Sequence, residues 1–349
     1  MRAALLTSSA DRGSVAPIVQ TTTGCPEPPP PGPGWARLRT LASALNQMDL
    51  WVAVGIPGLE LTYPRVSGCD ACAVVESVGD GVDPAWVNKR VIFNAAVRLP
   101  DRVHPDDPTD AQLAPAYELI GEHHDGAHRE YFNAPAANLR PVADHISDED
   151  AAAFGLVALT AMGMVKKAGI MPGQRVCVTG IGGGVATAAL SICKWLGCKV
   201  AVTSRHQWKL DKAIALGADY AVLDEGQEWA RDIRKWTGKR GVECVLDSIG
   251  DAVHMNCIAS LARGGAFVTC GATSGAVTKT HLGRIFWGQL RLLGSTMGSN
   301  DDFAEVVSLF NAGKIGPVVD SVHDWGEAPA AWARLESGEQ FGKVVIKWN

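Results

Sequence analysis

Apolar and polar positions change their rhythm near residue 150. Before it, short apolar runs alternate with turns. Trp35 to Arg39, Tyr63 to Gly79, Glu130 to Pro135 and Leu139 to Pro141 predict strands of a closed, strand-rich domain. Pro26 to Gly34 is proline-rich and predicts a stiff connector between two such strands. Ser147-Asp-Glu-Asp150 then offers an N-cap and first-turn acids to an apolar helix ending near Gly169. Beyond it, strand-like Arg175 to Thr179, Lys199 to Ser204, Gly217 to Leu223, Val242 to Ser248 and Gly264 to Gly271 are separated by helix-like segments. Those helices are Val185 to Leu196, Lys209 to Leu216, Trp229 to Thr237 and His254 to Ala262. This alternation predicts an open, doubly wound parallel sheet of α/β class. The tail, Asp301 to Lys347, holds two helices and strands at Val318 to Val322 and Lys343 to Lys347, which predicts a return to the first domain.

The densest chemical signal lies between the first of these parallel strands and its helix. Gly180, Gly182, Gly183 and Gly184 let the backbone turn sharply and put no side chain before the first helical N–H groups. An anion, a pyrophosphate in particular, suits that geometry. The next strand arrives at the spacing of a βαβ unit, the context that separates a dinucleotide turn from an ordinary glycine cluster.

Composition narrows the field. The 349 residues suggest two domains, and 47% apolar with 20% charged residues is globular. A net charge of −5 gives no electrostatic footprint for nucleic acid or an anionic membrane. The N-terminal apolar run is short, and the apolar stretches 151–165 and 176–193 are too short or too glycine-broken for a bilayer span, so a cytoplasmic protein is expected. Nine scattered cysteines predict reduced, mostly buried thiols. Arg98 to His128 is polar, with Asp106, Asp107, Asp110, Glu122 and Asp125 among prolines and histidines, and reads as a long loop or lobe.

Asn46-Gln-Met-Asp-Leu-Trp51, Gly68-Cys-Asp-Ala-Cys-Ala-Val-Val-Glu-Ser-Val-Gly79, the glycine turn, Leu216-Gly-Ala-Asp219, Leu246-Asp-Ser-Ile-Gly250, Gly264-Gly-Ala-Phe-Val268 and Gln340-Phe-Gly-Lys-Val-Val345 together resemble the medium-chain dehydrogenase/reductase superfamily. The turn, as Gly180, Gly183 and Ala186, is similar to that of its quinone oxidoreductase-like, zinc-independent branch. The resemblance implies a GroES-like catalytic domain over residues 1–152, a Rossmann domain over 153–297, a return to the catalytic domain over 298–349, and a nicotinamide cofactor in the cleft. It implies that Thr160, Val185, Ser248, Gly271, Ala272, Thr273, Ser295, Thr296, Met297 and Lys343 serve the cofactor together with the glycine turn. Asn46, Asp49, Trp51, Cys69 and Asp70 would stand on the catalytic side.

Zinc-dependent alcohol dehydrogenases of this superfamily hold catalytic metal with a Cys, the His of a Gly-His-Glu motif and a second Cys. Here Asn46, Cys69-Asp70 and Leu156 stand at those places, too few donors for tetrahedral zinc, and no catalytic metal is expected. Cys69 and Cys72 read as packing residues rather than a redox or zinc pair. His124 and His128 read as parts of a solvated loop, and Tyr63 as a rim or core residue rather than a proton donor.

The end of the second cofactor strand decides between nucleotides. NADH-selective sites place an acid there for the ribose 2′-hydroxyl, whereas this chain has Ser204, then Arg205 and Lys209, which suit a 2′-phosphate and predict NADPH. The expected activity is hydride transfer from NADPH to a small-molecule quinone, activated enone or carbonyl without zinc. A zinc alcohol dehydrogenase with unconventional ligands and a non-catalytic NADPH-binding protein remain open. A homodimer is expected through edge strands at Gly264 to Gly271 and Leu290 to Gly298.

Overall fold

The structure, a computed structural model, describes residues 1–98, 111–114, 117–226 and 228–349. Asp106, Asp107 and Asp110 of the polar lobe lie outside them. The chain forms two compact units. One comprises Met1–Leu156, Ser299–Ala312 and Val318–Asn349; the other comprises Val157–Gly298 and Gly313–Pro317.

In the first unit the strands are β1 (Ala3–Leu6), β2 (Val19–Thr22), β3 (Trp35–Ala44), β4 (Ala71–Val78), β5 (Arg90–Phe93), β6 (Ala96–Arg98), β7 (Tyr117–Leu119), β8 (Tyr131–Pro135) and β9 (Leu139–Pro141). Helix α1 spans Gln47–Val54. The ten residues of β3 alternate between buried and half-buried over most of their length, the mark of a strand with one face on a core. It lies centrally, antiparallel to both β4 and β8. The proline-rich stretch runs from β2 to β3 as a connector without regular structure. Helix α2 (Asp148–Ala168) begins as its sequence predicts: the Ser147 hydroxyl accepts from the Asp150 amide at 3.0 Å. It has the length and hydropathy of a bilayer span, but 83% of its most apolar window is buried in the protein, so it is accounted for as a core helix.

The second unit contains β10 (Arg175–Val178), α3 (Gly184–Trp195), β11 (Lys199–Ser204), α4 (Gln207–Ala215), β12 (Tyr220–Leu223), α5 (Ala230–Trp236), β13 (Val242–Asp247), α6 (Asp251–Ser260), β14 (Leu261–Thr269), α7 (Leu282–Gly288) and β15 (Arg291–Gly294). Its six strands are ordered β12-β11-β10-β13-β14-β15, and every neighbouring pair is parallel. Counted from β10 this is the doubly wound order 3-2-1-4-5-6, whose reversal between β10 and β13 opens a crevice at the carboxyl ends of those strands. One expectation needs correction. The strand around Gly264 to Gly271 is not an edge, because β14 is paired on both sides; β15 alone ends the sheet there.

The chain then adds α8 (Asn300–Asn311), β16 (Val319–Asp324), α9 (Ala328–Glu336) and β17 (Lys343–Lys347). Strand β17 pairs antiparallel with β3 and parallel with β16, so the last strand completes the sheet of the first unit.

Candidate active site

At the crevice of the parallel sheet the chain turns through Gly180 at φ +62° and Gly182 at φ +117°, backbone that only glycine adopts at low cost. Gly183 is the N-cap of α3 and provides no side-chain cap, so the first N–H groups of the helix are unclaimed by a capping side chain. A Cβ on Gly182 would lie 2.7 Å from Lys209 Cδ and 3.2 Å from its Nζ, so the lysine stem crosses the turn and brings its ammonium there. These features fit an anionic dinucleotide.

Asp247, within the matched Leu246-Asp-Ser motif but not singled out from sequence, fastens the adjoining loops. Its carboxylate accepts from Thr179 Oγ1 at 2.6 Å, from the Ile249 and Gly250 amides at 3.1 and 3.0 Å, and from Thr269 Oγ1 at 3.5 Å. Burial raises its pKa, and these hydrogen bonds offset that in part. The carboxylate thus joins residues at the carboxyl ends of β10, β13 and β14. Thr273 Oγ1 lies 3.4 Å from the Ser248 carbonyl, and a Cβ on Gly271 would lie 2.8 Å from that oxygen, so Ser248 and the Gly271-Ala272-Thr273 segment are held together. The Ser295 amide donates to the Thr269 carbonyl at 2.9 Å. Thr160, Ser295 and Met297 are buried, Thr296 is exposed, and Gly184 and Val185 begin α3 half-buried.

At the end of β11, Ser204 is buried, and its hydroxyl accepts from the His206 amide at 3.2 Å. Arg205 is exposed. Trp208, on the first turn of α4, is 40% exposed, with Lys209 and Lys212 ammonium groups 5.3 and 5.1 Å from its ring centre.

The first unit assembles a separate polar cluster. Asn46, N-cap of α1, directs Nδ2 to Asp70 Oδ2 at 2.8 Å and to Cys69 Sγ at 3.3 Å. Lys343, at the start of β17, donates from Nζ to Asp70 Oδ2 at 3.0 Å and to Asn46 Oδ1. The Leu156 amide donates to Asp70 Oδ1 at 2.7 Å. Burial, with Asp49 and Asp70 nearby, pushes the Cys69 thiol well up, so it is neutral at pH 7. The structure thus gathers Asn46, Cys69, Asp70 and Lys343. Lys343, assigned to the cofactor by resemblance, has its ammonium in this group. Trp51 is half-buried on α1 and makes no polar contact with the cluster among the described residues.

Asp49 stands behind Asn46 rather than beside it. Its Oδ2 accepts from the Asn46 amide at 2.7 Å, and its Oδ1 lies 3.2 Å from His128 Nε2. His128 Nδ1 is 2.8 Å from Ser43 Oγ, which accepts from Trp348 Nε1 at 2.8 Å. The reading of His128 as solvated is therefore wrong: it is fully buried, edge-on to Trp332. Gly68 makes room for it, since a Cβ there would lie 2.8 Å from the imidazole. His124 is half-buried and pairs with Glu118 at 2.8 Å. Cys69 and Cys72 serve different neighbours, Cys72 Sγ lying 3.5 Å from Asp148. Tyr63 donates its hydroxyl to the Val52 carbonyl at 2.7 Å.

A catalytic zinc does not fit this donor set. Asp70 already accepts from Asn46, Lys343 and Leu156, Cys69 is the one thiol in the group, and a fixed ammonium stands among them. No group of three or more His, Cys, Asp and Glu side chains among the described residues could hold a metal ion.

Comparison with known proteins places these units. Residues 32–144 match the alcohol dehydrogenase GroES-like domain, and residues 184–312 match the zinc-binding dehydrogenase family. A zinc-type alcohol dehydrogenase-like protein of Schizosaccharomyces pombe is 30% identical over 323 residues, 90% of this chain and 91% of the relative. An alcohol dehydrogenase of Geobacillus stearothermophilus is 27% identical, covering 90% and 92%. Among solved structures, an NAD-dependent alcohol dehydrogenase superposes with a TM-score of 0.89 at 33% identity over the whole of both chains.

Proposed function

The chain belongs to the medium-chain dehydrogenase/reductase superfamily of pyridine-nucleotide oxidoreductases, and from that premise we propose that it is an NADPH-dependent reductase acting on a quinone, an activated enone or a carbonyl without catalytic zinc. The observation that carries this reading is the donor set itself: Asn46, Cys69 and Leu156 stand at the places matched to the zinc ligands, and Asn46 is already engaged with Cys69, Asp70 and Lys343. The bound cofactor would supply the hydride. The residues to hold it are the glycine turn and the start of α3 for the diphosphate, Ser204, Arg205 and Lys209 for the 2′-phosphate, and Thr160, Ser248, Gly271 to Thr273 and Ser295 to Met297 for the nicotinamide end. Lys343, held by Asn46 and Asp70, offers a hydrogen-bond donor for an acceptor's oxygen. The test is NADPH oxidation by the purified protein with a panel of quinones and enals, before and after dialysis against chelator. Turnover unaffected by chelator is expected. NAD-dependent alcohol oxidation abolished by chelator would replace this reading with a zinc alcohol dehydrogenase, and cofactor binding without any turnover would replace it with a non-catalytic role.

The dimer belongs to the same reading. Edge strand β15 offers unpaired backbone groups, and next to it in sequence Leu282, Phe286 and Trp287 of α7 are about 70% exposed, with Leu292 41% exposed. A second copy pairing along β15 would cover both the edge and these side chains. Light scattering at micromolar concentration should give a dimeric mass for wild type and a monomeric one for Phe286→Asp combined with Trp287→Ser. A monomeric wild type removes the dimer.

A further inference from the structure

We infer that the first unit carries a second ligand site, a cleft that takes a small monocarboxylic acid, its carboxylate at Arg65 and Arg129 and its apolar body against Trp35. The cleft has a volume of about 590 Å³, inside the roughly 300–1,000 Å³ of small-molecule sites. Strand ends and loops between Leu5 and Asn133 form all of it, so it lies wholly within that unit. None of its wall residues belongs to the cluster of Asn46, Cys69, Asp70 and Lys343, and the inference does not rest on the reductase reading. Leu5, Trp35, Pro64 and Val66 give the cleft its apolar walls.

Arg65 calls for the anion. It is 8% exposed, yet among the described residues its guanidinium makes a single hydrogen bond, from Nη2 to the Glu122 carbonyl, and its Nε is buried without a partner. No carboxylate among those residues is within ion-pair distance of it, and the Glu122 carboxylate lies 3.6 Å from His123 Nδ1 instead. A buried cation without a counter-ion is costly, and arginine does not shed its proton to escape. The other charges of the wall are already matched. Arg129, 7% exposed, reaches Asp125 Oδ2 from Nη1 at 3.2 Å, while Asp125 Oδ1 accepts from the Val66 amide at 3.1 Å. Glu27 pairs with Arg37 at 2.6 Å, and His124 with Glu118 at 2.8 Å. The positive charge of Arg65 is what remains, and it selects a monoanion over a phosphate dianion. The remaining N–H groups of Arg65, with the equally unpartnered Nε of Arg129, are the donors to receive it, and a planar guanidinium matches the two oxygens of a carboxylate.

Calorimetric titration with para-bromobenzoate, its neutral amide and inorganic phosphate tests the site without any turnover. Wild type should bind one equivalent of para-bromobenzoate with a Kd on the order of 1 mM or tighter, and the amide and phosphate at least about tenfold more weakly. Arg65→Met, which keeps most of the stem and loses the charge, should weaken para-bromobenzoate by at least about tenfold, with Arg65→Gln as the second variant should the first fail to fold. The bromine anomalous signal in wild-type crystals grown with the same acid locates the site whatever the variants do, and a peak beside Arg65, Arg129 and Trp35 is expected. No binding by wild type, equal binding of the amide, or tighter binding of phosphate overturns the inference. So does para-bromobenzoate affinity kept within about threefold in a folded Arg65 variant, or a bromine peak found only elsewhere.

Discussion

Exchanging Ser204 for Asp and Arg205 for Ala is expected to reverse the cofactor preference, from NADPH favoured to NADH favoured. The strand end of β11 has no acid to accept from a ribose 2′-hydroxyl. It offers instead a buried hydroxyl at Ser204, an exposed guanidinium at Arg205 and the Lys209 ammonium over Gly182. Each charged hydrogen bond to a phosphate contributes roughly 1.5–3 kcal/mol, so one or two give wild type a preference on the order of ten- to a thousandfold. An introduced carboxylate both repels the phosphate and receives the hydroxyl, which turns the same energies around. Quenching of tryptophan fluorescence is a suitable readout, because Trp208 is part-exposed one turn into the helix that follows. Lys209→Ala separates two roles for the remaining cation. Serving the 2′-phosphate, it weakens NADPH alone; serving the diphosphate, it weakens both cofactors alike. Equal dissociation constants for NADPH and NADH in wild type, or a double variant that still prefers NADPH, would remove the 2′-phosphate site from this strand end.

The parallel-sheet unit was legible in the sequence because its information is local. Every strand from Arg175 to Ser204 carries its own apolar run, each helix follows at once, and the glycine turn lies between neighbouring elements, so period and punctuation suffice. The polar clusters of the other unit depend on long-range pairing. Lys343 reaches Asn46 across 297 positions because β17 pairs with β3, whose end leads into Asn46, and no local pattern carries that register. His128 was hidden for the same reason. Its flanks, Glu122 to Asp125 before it and Arg129 to Glu130 after it, read as solvent-facing, and only the Gly68 approach and Ser43 on β3 bring it inside. The zinc departure shows the limit from the other side. Sequence registers which ligands are missing, whereas folding brings Lys343 to Asn46 and Asp70.

Replacing His128 with Phe is expected to cost about 3–5 kcal/mol of folding stability at neutral pH, the usual penalty for leaving a buried carboxylate without its partner. Both side chains are fully buried, and Asp49 has no water to turn to. Burial alone would raise the Asp49 pKa, but the charge and hydrogen bond of His128, with the Asn46 amide, together hold it below the ordinary carboxylate value. A carboxylate with a depressed folded pKa stabilises above its unfolded value, near 3.9, and loses that contribution as pH falls through the folded value. Wild-type stability owed to the Asp49 carboxylate is therefore present at neutral pH and declines in acid. In His128→Phe the carboxylate has lost its partner and escapes the penalty by taking a proton, so the gap between variant and wild type should narrow as the pH drops. Asp49→Asn retains an acceptor for the Asn46 amide and should cost less, about 1–3 kcal/mol. Urea midpoints measured from neutral pH into the acid range check both statements. A gap that is small at neutral pH, or one that widens in acid, would mean that Asp49 is not a buried carboxylate held by His128. Because Asp49 fixes the N-cap residue that carries the cluster amide, the same substitution should also reduce turnover, through Asn46 and not through any contact of His128 with substrate.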